Sequence, residues 1–436
     1  MKRTKPMQKA ILIGTAFVLA LVFFVLAFQA EAVDPETSPF GIRGLNKHGW
    51  DVEKRDKAMA LAKAAGVHWH RSVLFWYQVE PKNDRFTWDE TDALVNAAEK
   101  HGIRLMVTIR SVSPWGAKGS KRGVLVPHKK KKRKVSNMPD RLEDYVDFLK
   151  KTATRYKGRI RHWQIENEPA GKHDYRFWAG SAQEYVQLLK TAYDAIKSVD
   201  TGNKVLVAGF TAASLIKDHG NGFLSSVLKA GGGEHFDIFD YHAYGKLAKI
   251  TKAGKRAQEI LESHGFAGQK AKPMWLSETS TRGNTPRLWE VTQAQDVIKR
   301  YCLAFANGVE RVFWWYAVDK ASKPVVKEKK SNDYSGLLDI GLRPKPAYHA
   351  YCLMTSKLEG FDSVRKLELA RGVEAFSFTK GVNMVYVLWG LSSKNVSLSF
   401  HQDKATVTDI HGRETIVPTK DGKIDLPLSD SPIFVE

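Results

Sequence analysis

The sequence predicts an α/β fold: a (β/α)8 TIM barrel over residues 40–360, a small antiparallel β-sandwich domain over 361–436, and an N-terminal membrane segment within residues 1–32. Three observations carry this reading. Short apolar runs alternate eight times with stretches of helical period, the pattern of parallel strands joined by crossover helices. From about Phe361 the period shortens to β-rich segments separated by turns. A run free of charge precedes both.

The N-terminus comes first. Lys2, Arg3, Lys5 and Lys9 precede an uncharged run of 19 residues, Ala10 to Phe28, and Glu31, Asp34 and Glu36 follow it. Positive flanks stay in the cytoplasm, so the body is expected to be exported, periplasmic or at the cell surface. The run exceeds the apolar stretch of about 7 to 15 residues usual in a cleaved signal and approaches the roughly 20 that span a bilayer. That favours a signal anchor, while Ala30-Glu31-Ala32 offers a cleavage site that would release the chain as a secreted protein. Residues 33–39, with two prolines, read as a tether.

Eight strands follow: Phe40 to Leu45, Val67 to Leu74, Arg104 to Ile109, Ile160 to Ile165, Lys204 to Ala208, Ile238 to His242, Pro273 to Leu276 and Arg311 to Trp315. The helices between and after them are Val52 to Ala65, Glu90 to His101, Asp140 to Tyr156, Ala182 to Ser198, Gly222 to Ala230, Lys252 to His264, Leu288 to Asn307 and Ala347 to Leu358. Gly66, Gly102, Gly158, Gly265, Gly308 and Gly360 stand where a residue of positive φ closes a helix at little cost. Beyond them, Val373 to Phe378, Met384 to Trp389, Val396 to Phe400, Ala405 to Ile410 and Ile433 to Val435 read as strands of the second domain.

Length and composition agree with this division, because 436 residues suit a barrel of roughly 250 residues or more plus an accessory domain. Twelve Trp and fourteen Tyr supply core rings and rings that stack on sugar faces. The net charge of +21 attracts polyanions, and export argues against nucleic acid as the partner. Cys302 and Cys352 lack metal-binding spacing and read as small buried hydrophobes, with a single bridge between neighbouring helices left open for an exported chain. No HExxH, P-loop or post-strand GxGxxG is present, so no metal, nucleotide or other cofactor is expected.

Chemistry is expected where strands end in acids. Asn167-Glu168-Pro169 follows strand 4 and Ser277-Glu278-Thr279 follows strand 7. In a parallel barrel the loops after the strands' carboxyl ends build the site, so the two carboxylates flank one pocket. Cleaving an acetal needs a proton for the leaving oxygen and a negative group facing the oxocarbenium ion, and a carboxyl pair supplies both. Strand alternation would give Glu166 and Glu168 a common facing, bringing a third carboxylate near; the alternative is that Glu166 pairs with a basic neighbour inside the barrel.

Trp163-Gln164-Ile165-Glu166-Asn167-Glu168-Pro169 resembles the strand 4 signature of the clan A glycoside hydrolases. Ser113-Pro114-Trp115 after strand 3 and the trailing β domain make the chain most similar to family 39, the group of β-xylosidases, α-L-iduronidases and exopolysaccharide hydrolases. Glu166 departs from that family, whose members often carry an aromatic residue there. The resemblance implies a retaining glycoside hydrolase with Glu168 as acid/base and Glu278 as nucleophile. It places Arg71 as the cation beside Glu278, Tyr244 as a hydrogen-bond donor to it, Asn167 on a sugar hydroxyl, and His242 among the supporting groups. Trp315 and Trp115 are stacking platforms, and Asn46 and His48 lie just beyond strand 1 as pocket candidates.

Three basic clusters fall on loops of the catalytic face: Lys118 to Lys134 after strand 3, Lys246, Lys249 and Lys252 after strand 6, and Lys320 to Lys330 after strand 8. They are expected to meet an anionic polysaccharide substrate or an anionic membrane surface, the plain alternative being a solvated loop. Two other functions stay open on the same residues, a noncatalytic glycan-binding scaffold and a transglycosylase. The sugar acceptor separates the second from a hydrolase.

Overall fold

The computed structural model describes residues 36–46, 50–117, 126–128, 131–133, 135–170, 177–281, 286–320, 334–390 and 394–436, with the backbone alone for 126–128, 131–133, 286–288 and 394. The expected membrane segment, most of the tether and His48 lie outside the described residues. No described helix is long and apolar enough to cross a membrane.

Eight parallel strands close a barrel: β1 (Phe40–Arg43), β2 (Trp69–Phe75), β3 (Arg104–Arg110), β4 (His162–Ile165), β5 (Lys204–Leu206), β6 (Phe239–Tyr244), β7 (Met274–Ser280) and β8 (Val309–Trp314). Each pairs with its sequence neighbour, and β1 pairs with β8 in the register Phe40 to Val312. Closure runs through an interrupted strand. Lys204–Leu206 pairs with β4, its continuation Phe210–Thr211 pairs with β6, and Leu206 bridges Ile238, so both ends of the sheet belong to one stretch of chain.

The covering helices are α1 (Val52–Ala64), α2 (Asp89–Lys100), α3 (Leu142–Arg155), α4 (Ala182–Val199), α5 (Phe223–Lys229), α6 (Ala248–Ser263), α7 (Pro286–Phe305) and α8 (Pro346–Leu358). Their starts are capped locally. Asp51 accepts from the Lys54 amide ahead of α1, and Ser181 and Glu184 form a reciprocal capping box on α4. The six glycines expected to stop helices all have positive φ.

Strand alternation stacks the barrel interior in layers. The lowest is apolar: Trp69, Met106, Leu206, Ile238, Trp275 and Phe313 form one buried cluster. Two residues further along five strands the interior turns polar, with Arg71, Thr108, Gln164, Asp240 and Ser277 all fully buried. This second layer is the floor of the catalytic end.

Strand limits differ from expectation in one consequential place. Strand 7 continues through Ser280, so Glu278 lies inside β7 instead of beyond it. The basic run after strand 3, expected as a loop, contains a short hairpin in which Val126–His128 pairs with Lys131–Arg133; Lys129, Lys130 and Lys134 lie outside the described residues.

The C-terminal part holds antiparallel sheets. β9 (Ser363–Leu367), β10 (Val373–Lys380), β11 (Asn383–Gly390), β16 (Ile433–Val435), β13 (Lys404–Asp409) and β14 (Glu414–Pro418) form a six-stranded sheet in that order, and β12 (Lys394–Ser399) pairs with β15 (Lys423–Leu428). Alternation splits the large sheet's side chains. Ala375 and Leu388 pack with Val396, Leu398, Ile424 and Leu426 of the small ladder, while Phe376, Phe378, Val387 and Phe434 join the barrel's own core. Lys299 of α7 pairs with Asp430 at 2.7 Å across that junction.

Two of the helix-stopping glycines separate backbone strain from crowding. Gly158 (φ 78°) has open space where a Cβ would sit, whereas a Cβ on Gly66 (φ 80°) would lie 2.5 Å from the Thr355 hydroxyl. Gly158→Ala is expected to cost about 1 kcal/mol from the left-handed conformation alone, and Gly66→Ala about 1–3 kcal/mol more from overpacking. Urea denaturation of both variants checks this, and equal losses would remove the steric part of the argument.

Candidate active site

Two breaks in strand regularity present the acids. Along β7, alternation turns Trp275 and Ser277 inward and would turn Glu278 outward to the helices. A register shift between Leu276 and Glu278 against β6, and another between Leu276 and Thr279 against β8, mark a β-bulge that brings Glu278 inward beside Ser277. At the end of β4, Glu166 (φ 70°) and Glu168 (φ 43°) occupy the left-handed region, with Asn167 bridged to Gly209 between them. Non-glycine residues held there carry strain of order 1–3 kcal/mol and cluster at functional sites.

This kinked backbone overturns the expected common facing of Glu166 and Glu168. Glu166 is fully buried, accepting from Arg110 Nε at 2.7 Å and from the Ser111 amide at 2.7 Å, so the pairing with a basic neighbour is the arrangement observed. Glu168 instead turns to His242, whose Nδ1 lies 2.8 Å from its Oε1 and 3.5 Å from Oε2 of Glu278. Oxygens of the two glutamates and a ring nitrogen of His242 lie within 4.8 Å of one another.

Glu278 is enclosed by donors. Arg71 Nη1 donates to its Oε1, the Tyr244 hydroxyl donates to Oε2 at 2.5 Å, and Arg43 Nε lies 3.9 Å from Oε1. Burial by itself would raise this carboxyl's pKa; the charges of His242, Arg71 and Arg43 and the Tyr244 hydrogen bond outweigh it and hold Glu278 below the usual carboxylate range. His242 is the complement. Burial alone would lower its pKa, yet Glu278, Asp240 and Glu168 raise it to about 9, so the ring carries a proton at neutral pH.

The polar floor fixes these groups. Arg71 Nη2 donates to Gln164 Oε1 and to Asn167 Oδ1, each at 2.7 Å, and Thr108 donates to the same Gln164 oxygen at 2.8 Å. The Gln164 amide and the Ser277 hydroxyl both reach Asp240 Oδ2 at 2.5 Å, and Ser277 also contacts His242 Nε2 at 3.2 Å. Gly209 keeps the space open, since a Cβ there would lie 2.1 Å from His242 Nε2.

Arg71, Asn167, His242, Tyr244, Glu168 and Glu278 thus converge. Trp315 joins them, edge-on to Tyr244 at 5.6 Å and 4.1 Å beneath the Arg43 guanidinium. Asn46 lines the adjoining cleft and accepts from Arg55 Nε at 2.9 Å. Trp115 lies in a different environment: half-buried, its indole donates to the Glu80 carbonyl and its ring packs edge-on against Trp76. Sequence reasoning missed Arg43, Gln164 and Gly209. A polar Gln inside an apolar strand and a basic residue near the end of strand 1 were the signals.

Glu168, His242 and Glu278 also have metal-ligand spacing. Their chemistry fits a cation poorly, because Arg71 already holds Glu278 and the protonated ring offers no lone pair. The other described cluster, Glu80, Asp84 and Asp147, is crossed by Lys151, whose Nζ lies 2.7 Å from both aspartates.

A family model described as cellulase (glycosyl hydrolase family 5) matches residues 33–320. Solved structures share the fold. A family 39 glycoside hydrolase from Bacteroides cellulosilyticus WH2 aligns with a TM-score of 0.73 at 20% identity, covering 93% of this chain and 82% of that one. A family 39 β-xylosidase from Caulobacter crescentus gives 0.63 at 18%, covering 92% and 96%. A family 51 α-L-arabinofuranosidase from Thermotoga petrophila RKU-1 gives 0.62 at 12%, covering 92% and 98%. The expected likeness to family 39 is therefore seen in the fold, and all these families lie in clan A.

The raised pKa of His242 has a stability consequence of definite sign. Its folded value of about 9 lies above the ordinary 6.5, so the stabilisation is complete below pH 6.5 and disappears as pH rises towards 9. The wild type is expected to lose on the order of 3 kcal/mol across that window beyond what His242→Gln loses. Urea midpoints at the two pH values check this; parallel losses in both proteins would refute the protonated ring.

Proposed function

Because the chain belongs to the cellulase family, glycosyl hydrolase family 5, we propose that Glu278 is its nucleophile and Glu168 its acid/base in the retaining hydrolysis of a polysaccharide. The enzyme is a clan A glycoside hydrolase, and that clan is retaining. The observation that carries the residue assignment is the carboxylate spacing. Oxygens within 4.8 Å of one another suit the roughly 5–5.5 Å of a double displacement and leave no room for the water that inversion places between acids about 6.5–9.5 Å apart.

Environment divides the labour. Glu278 keeps 4% of its side chain exposed and is held ionised by cations, as a nucleophile requires. Glu168 keeps 18% exposed, open to a leaving oxygen and then to water. In the first step Glu278 attacks the anomeric carbon while Glu168 protonates the departing oxygen. In the second Glu168 takes a proton from water, which displaces the Glu278 ester. The His242 imidazolium, with Nδ1 directed at both acids, offsets the charge that passes between them.

The anionic character of the polysaccharide is supported by the +21 net charge and by exposed Lys246, Lys249, Lys252 and Lys320 following β6 and β8, at the catalytic end. Export and anchoring through residues 1–32 are supported by the basic flank and the uncharged run, and place such a substrate outside the cytoplasm.

The acid/base role predicts a dependence on the leaving group. In Glu168→Ala, kcat/KM for aryl glycosides with poor leaving groups should fall by about 10²–10⁴, while dinitrophenyl glycosides, which depart unprotonated, should still form the glycosyl enzyme. Azide should then restore turnover of the latter. A loss of equal size for all leaving groups would reject Glu168 as the acid.

A further inference from the structure

The catalytic centre continues into a cleft of about 900 Å³ whose contents the hydrolytic reaction leaves unexplained. Neither glutamate is among its described walls, but both arginines that approach Glu278 line it, Arg43 and Arg71, which sets it on the nucleophile's side. In a double displacement the sugar that becomes esterified stays with the nucleophile, and the leaving part departs on the side of the acid. The cleft is therefore the glycosyl side of the site.

Its charge is unbalanced. Arg71 is satisfied by Glu278, Gln164 and Asn167. Arg43 shares the same Glu278 charge at 3.9 Å and hydrogen-bonds with Tyr316; its Nε is buried without a hydrogen-bond partner among the described residues, and its guanidinium lies 4.1 Å from the Trp315 ring and 5.4 Å from that of Tyr316. Lys320 is exposed, its Nζ 4.0 Å over the same Tyr316 ring and 5.8 Å from that of Trp315. Of the acids lining the cleft, Glu90 is taken by Arg55 at 3.1 Å, which leaves Asp89 in the first turn of α2. Three cations, Arg71, Arg43 and Lys320, thus stand against two carboxylates, Glu278 and Asp89, and a neutral sugar offsets none of the excess.

The gathering is built into the backbone. Tyr316 is held at φ 70°, and Gly44, at φ 89°, leaves the space its ring occupies, since a Cβ there would lie 2.6 Å from Tyr316 Cδ1. Strain of this kind persists where surrounding structure enforces it, and here it sets an aromatic face under both cations.

We propose that Arg43 and Lys320, placed by Tyr316, form a subsite for the carboxylate of a uronic acid in the glycosyl part of the substrate. Arg43 supplies the half-buried charge and Lys320 the exposed one, so the enzyme selects an acidic chain at the bond to be cut. The proposal rests on Glu278 being the nucleophile, because that assignment tells which side of the cut the cleft holds.

Affinity electrophoresis tests it, with polyglucuronate, polymannuronate and polygalacturonate, each native and after reduction of its carboxylates to alcohols, at fixed salt. At least one native polymer should retard the wild type, its reduced form should not, and Lys320→Gln should weaken the retardation three- to tenfold. Lys255→Gln removes the same charge from the exposed side of α6 and controls for the protein's overall positive field; it should leave the retardation unchanged. Equal weakening by both variants, equal retardation by reduced polymers, or no retardation by any of them would overturn the subsite. A mechanism-based fluoroglycoside label, read by intact mass in the wild type, keeps the two claims apart. Label without a Lys320 effect rejects the subsite alone, and absence of label rejects the catalytic assignment beneath it.

Discussion

A guanidinium buried to 0% exposure is the constraint from which the site follows. Arg71 rises from an apolar layer of Trp69, Met106, Trp275 and Phe313, where an unpaired charge would cost several kcal/mol. Its donors must all find acceptors, and those within reach belong to two other strands: Gln164 on β4, Asn167 just beyond its end, and Glu278 on β7. Satisfying one arginine thus fixes the azimuth of the nucleophile, the orientation of the asparagine and the direction from which β4 leaves the barrel.

Regular strands would not achieve this. Continued alternation would send Glu278 outward, and the bulge at Ser277-Glu278 places two successive side chains inside, one tied to Asp240 and the other to Arg71. On the opposite wall, paired left-handed residues at Glu166 and Glu168 separate two acids that a straight strand would crowd together. One acid is spent on Arg110 inside the barrel, and the other reaches His242. Local irregularity is where the protein converts a scaffold into a reaction centre, and the protonated His242 lets two carboxylates approach within 4.8 Å without both being driven neutral.

Much of this is legible in the amino-acid sequence. Hydrophobic periodicity located all eight strands, and helix-closing glycines such as Gly66 and Gly158 took the backbone conformation their positions required. The two acids could be named because each closes a strand, an end that a barrel brings to one face, and Arg71, Asn167, His242 and Tyr244 because they match positions where the clan A resemblance implies active-site groups. What escaped depended on departures from regularity or on three-dimensional neighbours. Alternation alone gives the wrong facing for Glu166 and has no means of announcing a bulge. Trp115 carries the composition of a sugar platform, but its ring lies against Trp76 and its N–H reaches Glu80, a partner 35 residues away. Gly209 looks unremarkable in sequence, and only the proximity of His242 shows why a side chain there would collide.

The division of roles between the two glutamates is the claim on which everything functional rests. The most direct measurement is to trap the wild-type enzyme with a panel of activated 2-deoxy-2-fluoro glycosides, digest it, and sequence the peptide that gains the sugar's mass. An ester on Glu278 is the predicted result, because that carboxylate is the one held charged by Arg71, Arg43 and His242. An ester on Glu168 or Glu166 would contradict the account.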